Sequence, residues 1–171
     1  MDLLILPRLL IPVEATPGET RVSATPETVK TFVSLGCSVC LERGAGTPAG
    51  YLDAAYTDQG ADLVAPGDAD AWSSADVLLC VQTPSSESLA RLRRGALVVG
   101  LLNPFANEAL AAVLERGGLS AMALELLPRI SRAQAADALS SQANIAGYKS
   151  VLLASGALDR YFPMLMTAAG T

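Results

Sequence analysis

Thr25-Pro-Glu-Thr-Val-Lys-Thr-Phe-Val-Ser-Leu-Gly-Cys-Ser-Val-Cys-Leu41 sets the pattern from which the rest of the chain is read. Thr25, Pro26 and Glu27 supply an N-cap hydroxyl, a proline at the first helical position and an acid in the first turn. The run from Val29 to Leu35 ends at Gly36, as a helix C-cap does. Ser38–Leu41 then reads as a short strand. This helix-to-strand unit recurs in both directions. Further strands are expected at Leu3–Leu6, Asp62–Val64, Val77–Gln82, Ala96–Leu102 and Leu119–Leu124, and a second helix over Asn107–Arg116 stops at Gly117-Gly118. Several of these strands are apolar throughout, which suits a parallel sheet covered on both faces. The alternation predicts an α/β fold of the flavodoxin or Rossmann-like type, a doubly wound and mostly parallel sheet, followed by a long linking helix. The expected organisation is an α/β domain over 1–130, a helix over 131–158, and a connecting piece over 159–171.

Composition narrows the function. The chain has 171 residues, 51% hydrophobic and 17% charged, with a net charge of −5. That balance gives a compact core and argues against a nucleic-acid partner, whose phosphates need excess Lys and Arg. The arginines at 91, 93 and 94 read as a charged helix end facing water. No stretch reaches the length of about 18 apolar residues that a membrane span requires, and the first residues lack the basic region of a secretory leader. A soluble, cytoplasmic chain is expected. Histidine is absent, so neither a Ser-His-Asp nor a Cys-His arrangement can be built. Any hard chemistry then falls to a cofactor or to another part of the protein.

Two segments invite a site and are better read as structure. Cys37-x-x-Cys40 has redox or zinc spacing, but on a strand residues three apart point to opposite faces, and no second pair accompanies it. Gly44-Ala-Gly-Thr-Pro-Ala-Gly50 follows a strand but lacks the Lys-Ser/Thr of a phosphate loop, so it reads as a connection.

The segment that carries chemistry is Pro128-Arg-Ile-Ser-Arg-Ala-Gln-Ala-Ala-Asp-Ala-Leu-Ser-Ser-Gln-Ala-Asn-Ile-Ala-Gly-Tyr148. On a continuous helix, Ala135, Leu139, Ala143 and Ala146 form a narrow packing stripe. Gln134, Asp137, Ser140, Ser141, Asn144 and Tyr148 gather in a sector of about 120° on the other side. A solvent face normally carries Lys, Glu and Arg, whereas this one carries short neutral donors and acceptors. Such groups suit a ligand's amide and hydroxyl edges or a packed partner, and they could equally cap neighbouring loops. Arg129, just before the helix, could pair with Asp137 or reach a bound anion.

This signature, with Gly18-Glu-Thr-Arg-Val-Ser-Ala-Thr-Pro26 and Phe162-Pro-Met-Leu-Met-Thr-Ala-Ala-Gly-Thr171, resembles the NAD(H)-binding component of proton-translocating NAD(P) transhydrogenases along nearly the whole chain. That component shares its N-terminal domain family with the alanine dehydrogenases. The resemblance implies hydride transfer between NAD(H) and NADP(H), the latter held on a partner component, with a membrane component coupling the transfer to proton movement. It implies contacts to NAD(H) from Arg129, Ile130, Ser131, Gln134, Asp137 and Ser140. Arg129 and Ser140 would hold the carboxamide and nearby ribose, Asp137 would orient Arg129, and Gln134 would lie at the mouth of the site. No catalytic acid or base and no metal are implied. It also implies a homodimer at the inner face of the plasma membrane, and a Rossmann domain whose glycine-rich fingerprint these 171 residues do not contain, so that the isolated chain would be inactive and would bind NAD weakly or not at all. Alanine dehydrogenases use a lysine and a histidine where this chain has Val81-Gln82-Thr83-Pro84 and Leu102-Asn103-Pro104, which argues against that activity. A non-catalytic dimerisation or docking module, or a truncated fragment, is the competing reading, and a free-standing flavodoxin-like binding domain would rest on fold alone.

Overall fold

The computed structural model describes residues 6–128, 130–160 and 162, and divides into two compact units, one up to Leu126 and one from Leu127 onward. The first is a six-stranded, all-parallel sheet: β1 (Arg8–Ile11), β2 (Ser38–Glu42), β3 (Asp62–Val64), β4 (Val77–Gln82), β5 (Leu97–Leu101) and β6 (Ser120–Ala123). Its spatial order is β3-β2-β1-β4-β5-β6. Strand direction stays constant while the order reverses between β1 and β4, so this is a doubly wound sheet with its switch point there. Leu9 lies opposite both Val39 and Val77.

Side chains alternate across the sheet, and each face has its own core. Leu10, Cys40, Leu78, Cys80 and Val98 point to one side and bury Trp72, Leu89, Leu110 and Val113. These come from α3 (Ala69–Ser74), α4 (Ser86–Leu89) and α5 (Glu108–Gly117). Leu9, Ile11, Val39 and Leu41 point to the other side and bury Val29 and Tyr56 from α1 (Pro26–Ser34) and α2 (Asp53–Thr57). The Thr25 hydroxyl caps α1 by accepting from Thr28 N at 3.3 Å. Past its last turn Gly36 takes φ 90°, which lets Cys37 N reach back to the Phe32 carbonyl at 3.0 Å. A side chain at that φ would be strained.

Five expected strands fall where the sequence puts them within a residue at each end, and Asp62–Val64 and Val77–Gln82 match residue for residue. The first is different. Residues 3–5 of the expected Leu3–Leu6 strand lie outside the described residues, and Leu6 itself is not in a strand. The first described strand is Arg8–Ile11, beyond Pro7: Leu9, Leu10 and Ile11 are nearly inaccessible to solvent, and Leu9 and Leu10 pair on both sides, which makes β1 a central strand.

All three cysteines are free thiols, and Cys37 and Cys40 belong to opposite core faces as their strand spacing requires. Burial pushes the Cys80 thiol up to about 12, so it stays protonated. Gly44–Gly50 is a connection containing a short 3₁₀ turn, Thr47–Ala49. The arginines past α4 are engaged rather than merely solvated. Arg91 lies 4.9 Å over the Trp72 ring, Arg93 pairs with Asp76 at 3.0 Å, and Arg94 donates to the Arg116 carbonyl at 3.4 Å.

The second unit departs from the expected continuous helix over 131–158. Ser131–Ala136 is a 3₁₀ helix, the chain breaks at Asp137 (φ −75°, ψ 86°), and α6 runs from Ala138 to Ala157. The break has a physical reason: the Asp137 carboxylate caps α6, and an N-cap residue leaves the helical conformation. The small-residue stripe also fails to pack, since Ala135, Leu139, Ala143 and Ala146 are all exposed. Among the described residues no helix is long and apolar enough to cross a membrane.

Candidate functional site

Two places have the chemistry of a site, one in each unit. In the second unit, Ile130, Ser131, Gln134, Asp137 and Ser140 line a single cavity of about 350 Å³, together with Pro128 and Ala133. These are five of the six positions singled out from the sequence, and Arg129, the sixth, lies outside the described residues. Ser141, Asn144 and Tyr148, which a continuous helix would have grouped with them, are exposed on α6 and do not line the cavity.

The cavity owes its shape to local hydrogen bonding. Ala133 N donates to the Ile130 carbonyl at 2.9 Å and Asp137 N to the Gln134 carbonyl at 3.3 Å, both three residues back. Asp137 then closes the turn with both carboxylate oxygens: Oδ1 accepts Ser140 N at 2.9 Å and Oδ2 accepts the Ser140 hydroxyl at 2.6 Å. With its proton committed to Asp137, the Ser140 oxygen presents only lone pairs to anything else. Gln134 and Ser131 add groups able to donate or accept. The volume lies within the range of small-ligand clefts, and the lining mixes apolar carbon with a few hydrogen-bonding groups, which fits a small ligand with amide or hydroxyl edges.

In the first unit, the switch point holds a carboxylate network whose Glu19 and Arg21 lie in the Gly18–Pro26 stretch but whose contacts the sequence does not indicate. The Glu14 carboxylate reaches from the β1–α1 connection to the end of β4, accepting Val81 N at 2.5 Å and Gln82 N at 3.1 Å. Glu19 accepts from Arg21 Nε at 2.8 Å and from its terminal nitrogen at 2.6 Å, and also takes Gln82 Nε2 at 2.9 Å. Glu125 repeats the arrangement at the end of β5, accepting from Leu102 N and Asn103 N, where Asn103 has φ 46°. Glu14 and Glu125 lie many residues from the amides they satisfy, and Glu19 from Gln82, so no spacing rule could have found those contacts.

The hydrogen bonds from Arg21 hold the Glu19 carboxyl down to about 2, whereas burial holds Glu14 above the ordinary 4.5. The two act in opposite senses. Glu19 adds stability that is present above pH 4.5 and lost as pH falls toward 2. Glu14, with its pKa raised in the folded state, favours folding below pH 4.5, and that contribution is lost as pH rises through the raised value. Chemical denaturation at a series of pH values should therefore show the loss between pH 4.5 and 2 shrinking in Glu19→Gln, and the loss above pH 4.5 shrinking in Glu14→Gln. An unchanged acid limb in Glu19→Gln contradicts the assignment.

The fold and its cavity-bearing extension define a class first: a Rossmann-like α/β unit continued by a polar-capped helix. More specifically, the chain belongs to the alanine dehydrogenase/PNT N-terminal domain family, whose model matches residues 10–146. It is 43% identical over 169 residues to the first part of the NAD(P) transhydrogenase alpha subunit of Rhodospirillum rubrum, a match covering 96% of this chain and 44% of that protein. The crystal structure of transhydrogenase from Sinorhizobium meliloti superposes with a TM-score of 0.86 at 42% identity, covering 95% of this chain and 48% of that one. Similarity to the alanine dehydrogenase of Mycobacterium tuberculosis is lower, 34% over 118 residues, covering 69% of this chain and 32% of that enzyme. The chain thus spans about half the length of the transhydrogenase relatives it matches.

Proposed function

We propose that this chain forms the nicotinamide-side half of the NAD(H) site of a proton-translocating NAD(P) transhydrogenase. The observation that carries the reading is the cavity lined by Ile130, Ser131, Gln134, Asp137 and Ser140, on a chain whose transhydrogenase relatives match it nearly end to end. Bound NAD(H) supplies the hydride chemistry, exchanged with NADP(H) on a partner component. The residues of this chain bind and orient. Ser140 accepts from a donor on the carboxamide or ribose, Gln134 sits where it can donate or accept at the rim, and Arg129, next to Ile130 in sequence, supplies a cation. No protein acid or base is needed when two nicotinamide rings are held at near-attack distance.

The rest of the assembly belongs to the same proposal and rests on the family resemblance. A Rossmann domain with the glycine-rich fingerprint completes the dinucleotide site, since a pyrophosphate needs a helix N-terminus with close backbone approach. The working enzyme is a homodimer held at the inner face of the membrane by its membrane and NADP(H)-binding components. One observation favours a second reading, a non-catalytic docking module: on α6, Ile145, Val151, Leu152 and Leu153 are all exposed, as on a helix that meets another protein surface.

Titrating the 171-residue chain with NADH, followed by nicotinamide fluorescence, separates the two. The transhydrogenase reading expects weak saturable binding, reduced about tenfold in Ser140→Ala through one lost hydrogen bond. Absence of binding by the folded wild type marks a half-site completed elsewhere, and the docking module is favoured when binding stays absent with the Rossmann domain supplied.

A further inference from the structure

Ser131–Ala136 carries three alanines, an arginine and a glutamine, all strong α-helix formers, yet it is held in a 3₁₀ helix. Short 3₁₀ stretches are frequent at helix ends, and within a helix they often mark hinges. Nothing in the residues themselves prevents α6 from running back through Ser131. What stops it is Asp137, whose carboxylate is tied to Ser140 N and Oγ and whose ψ of 86° lies outside the helical range. A side chain that bonds to its own helix start competes with the next helical turn.

The bend creates the cavity. A straight helix is convex and encloses no space by itself, and every lining residue lies between Pro128 and Ser140. Were the segment α-helical, Gln134, Asp137 and Ser140 would lie along one outer face three residues apart, with no concavity between them.

We infer that Ser131–Asp137 is a two-state hinge: a bent form, capped by Asp137, that holds the cavity, and an extended form of α6 that erases it. A ligand in the cavity selects the bent form, and Asp137 is a positioning residue that sets the balance. The inference rests on the reading of the cavity as the nicotinamide site. Its physical basis is the near balance of opposing preferences. The cap favours the bent state by about fivefold, and the helix-forming segment favours the extended one.

The test joins ¹³Cα chemical shifts of residues 131–137 to NADH affinity in the full chain. Asp137→Ala should move the shifts to α-helical values and lower NADH affinity at least fivefold. Affinity alone would not separate a hinge from a lost contact. Asp137→Ala combined with Ala135→Gly and Ala136→Gly supplies that control, because two glycines disfavour the extended helix by more than tenfold and neither alanine lines the cavity. The triple variant should return the shifts toward wild type and recover NADH affinity at least twofold. Unchanged shifts in Asp137→Ala overturn the hinge. So does a triple variant whose shifts return without any recovery of affinity. If the wild type binds no NADH even with the Rossmann domain supplied, while the shifts behave as expected, the hinge stands and the nicotinamide reading falls.

Discussion

Replacing Glu42 by leucine is expected to destabilise the N-terminal unit by about 4 kcal/mol, from buried donors left without an acceptor. Glu42 is the buried charged side chain among the described core residues, 4% exposed at the end of β2. Its Oε1 accepts Gly67 N at 2.7 Å and Trp72 Nε1 at 2.8 Å, and its Oε2 accepts Val13 N at 2.8 Å. It thereby ties the connections after β1 and β3 and helix α3 to one point. Leucine fills the space but leaves all three donors unsatisfied, and such groups carry their full desolvation cost. Glu42→Gln should lose less, about 2 kcal/mol, because the amide oxygen can keep Gly67 and Trp72 while its NH₂ meets the Val13 amide. Urea denaturation of the wild type and both variants checks the order. Leucine at or above wild-type stability would show that the carboxylate contributes nothing.

Gly100→Ala should be nearly as damaging, about 3 kcal/mol from overpacking. Gly100 lies in β5, and a Cβ built there would sit 2.5 Å from the Cys80 carbonyl oxygen and 2.8 Å from its Sγ. The carbonyl belongs to the backbone of β4 and cannot swing aside as a flexible side chain would. The sheet must part where β4 and β5 pair, next to the irregular register between Leu79 and Gln82. Thermal unfolding of Gly100→Ala tests this, and a midpoint within about a degree of wild type would refute the close approach, since a loss of that size shifts the midpoint by several degrees. Cys80→Ala in the same background should recover only the share due to the sulfur.

The sheet was largely legible in the sequence. Val77–Gln82 and Asp62–Val64 stand out because buried parallel strands are short apolar runs with clear flanks, and Thr25-Pro26 and Gly36 mark the ends of α1 by their own chemistry. Arg8–Ile11 does not stand out as a strand because an apolar run says nothing about which run reaches the middle of the sheet, and Leu3–Leu6, whose residues 3–5 lie outside the described residues, is equally apolar. The short helices α2, α3 and α4, with four to six residues each, are too brief for periodicity to register. Of the cavity residues, Gln134, Asp137 and Ser140 could be picked out as a polar face unusual for solvent, whereas Ile130 and Ser131 come only from the family resemblance. Their arrangement could not be read, because the same alanine-rich letters fit a continuous helix, and a single capping residue, Asp137, decides otherwise. Glu14, Glu19, Glu42 and Glu125 stayed hidden for the opposite reason, since their partners lie 22 to 68 residues away apart from the nearby Arg21.

Trp72, the chain's single tryptophan, sits with its indole N–H on Glu42 and its ring under Arg91. Its emission therefore reports on the packing of α3 against β2 in the first unit. The twenty residues of α6 hold no tryptophan, so their melting is watched by circular dichroism. The gap between the two curves then becomes a direct gauge of whether the two units come apart together.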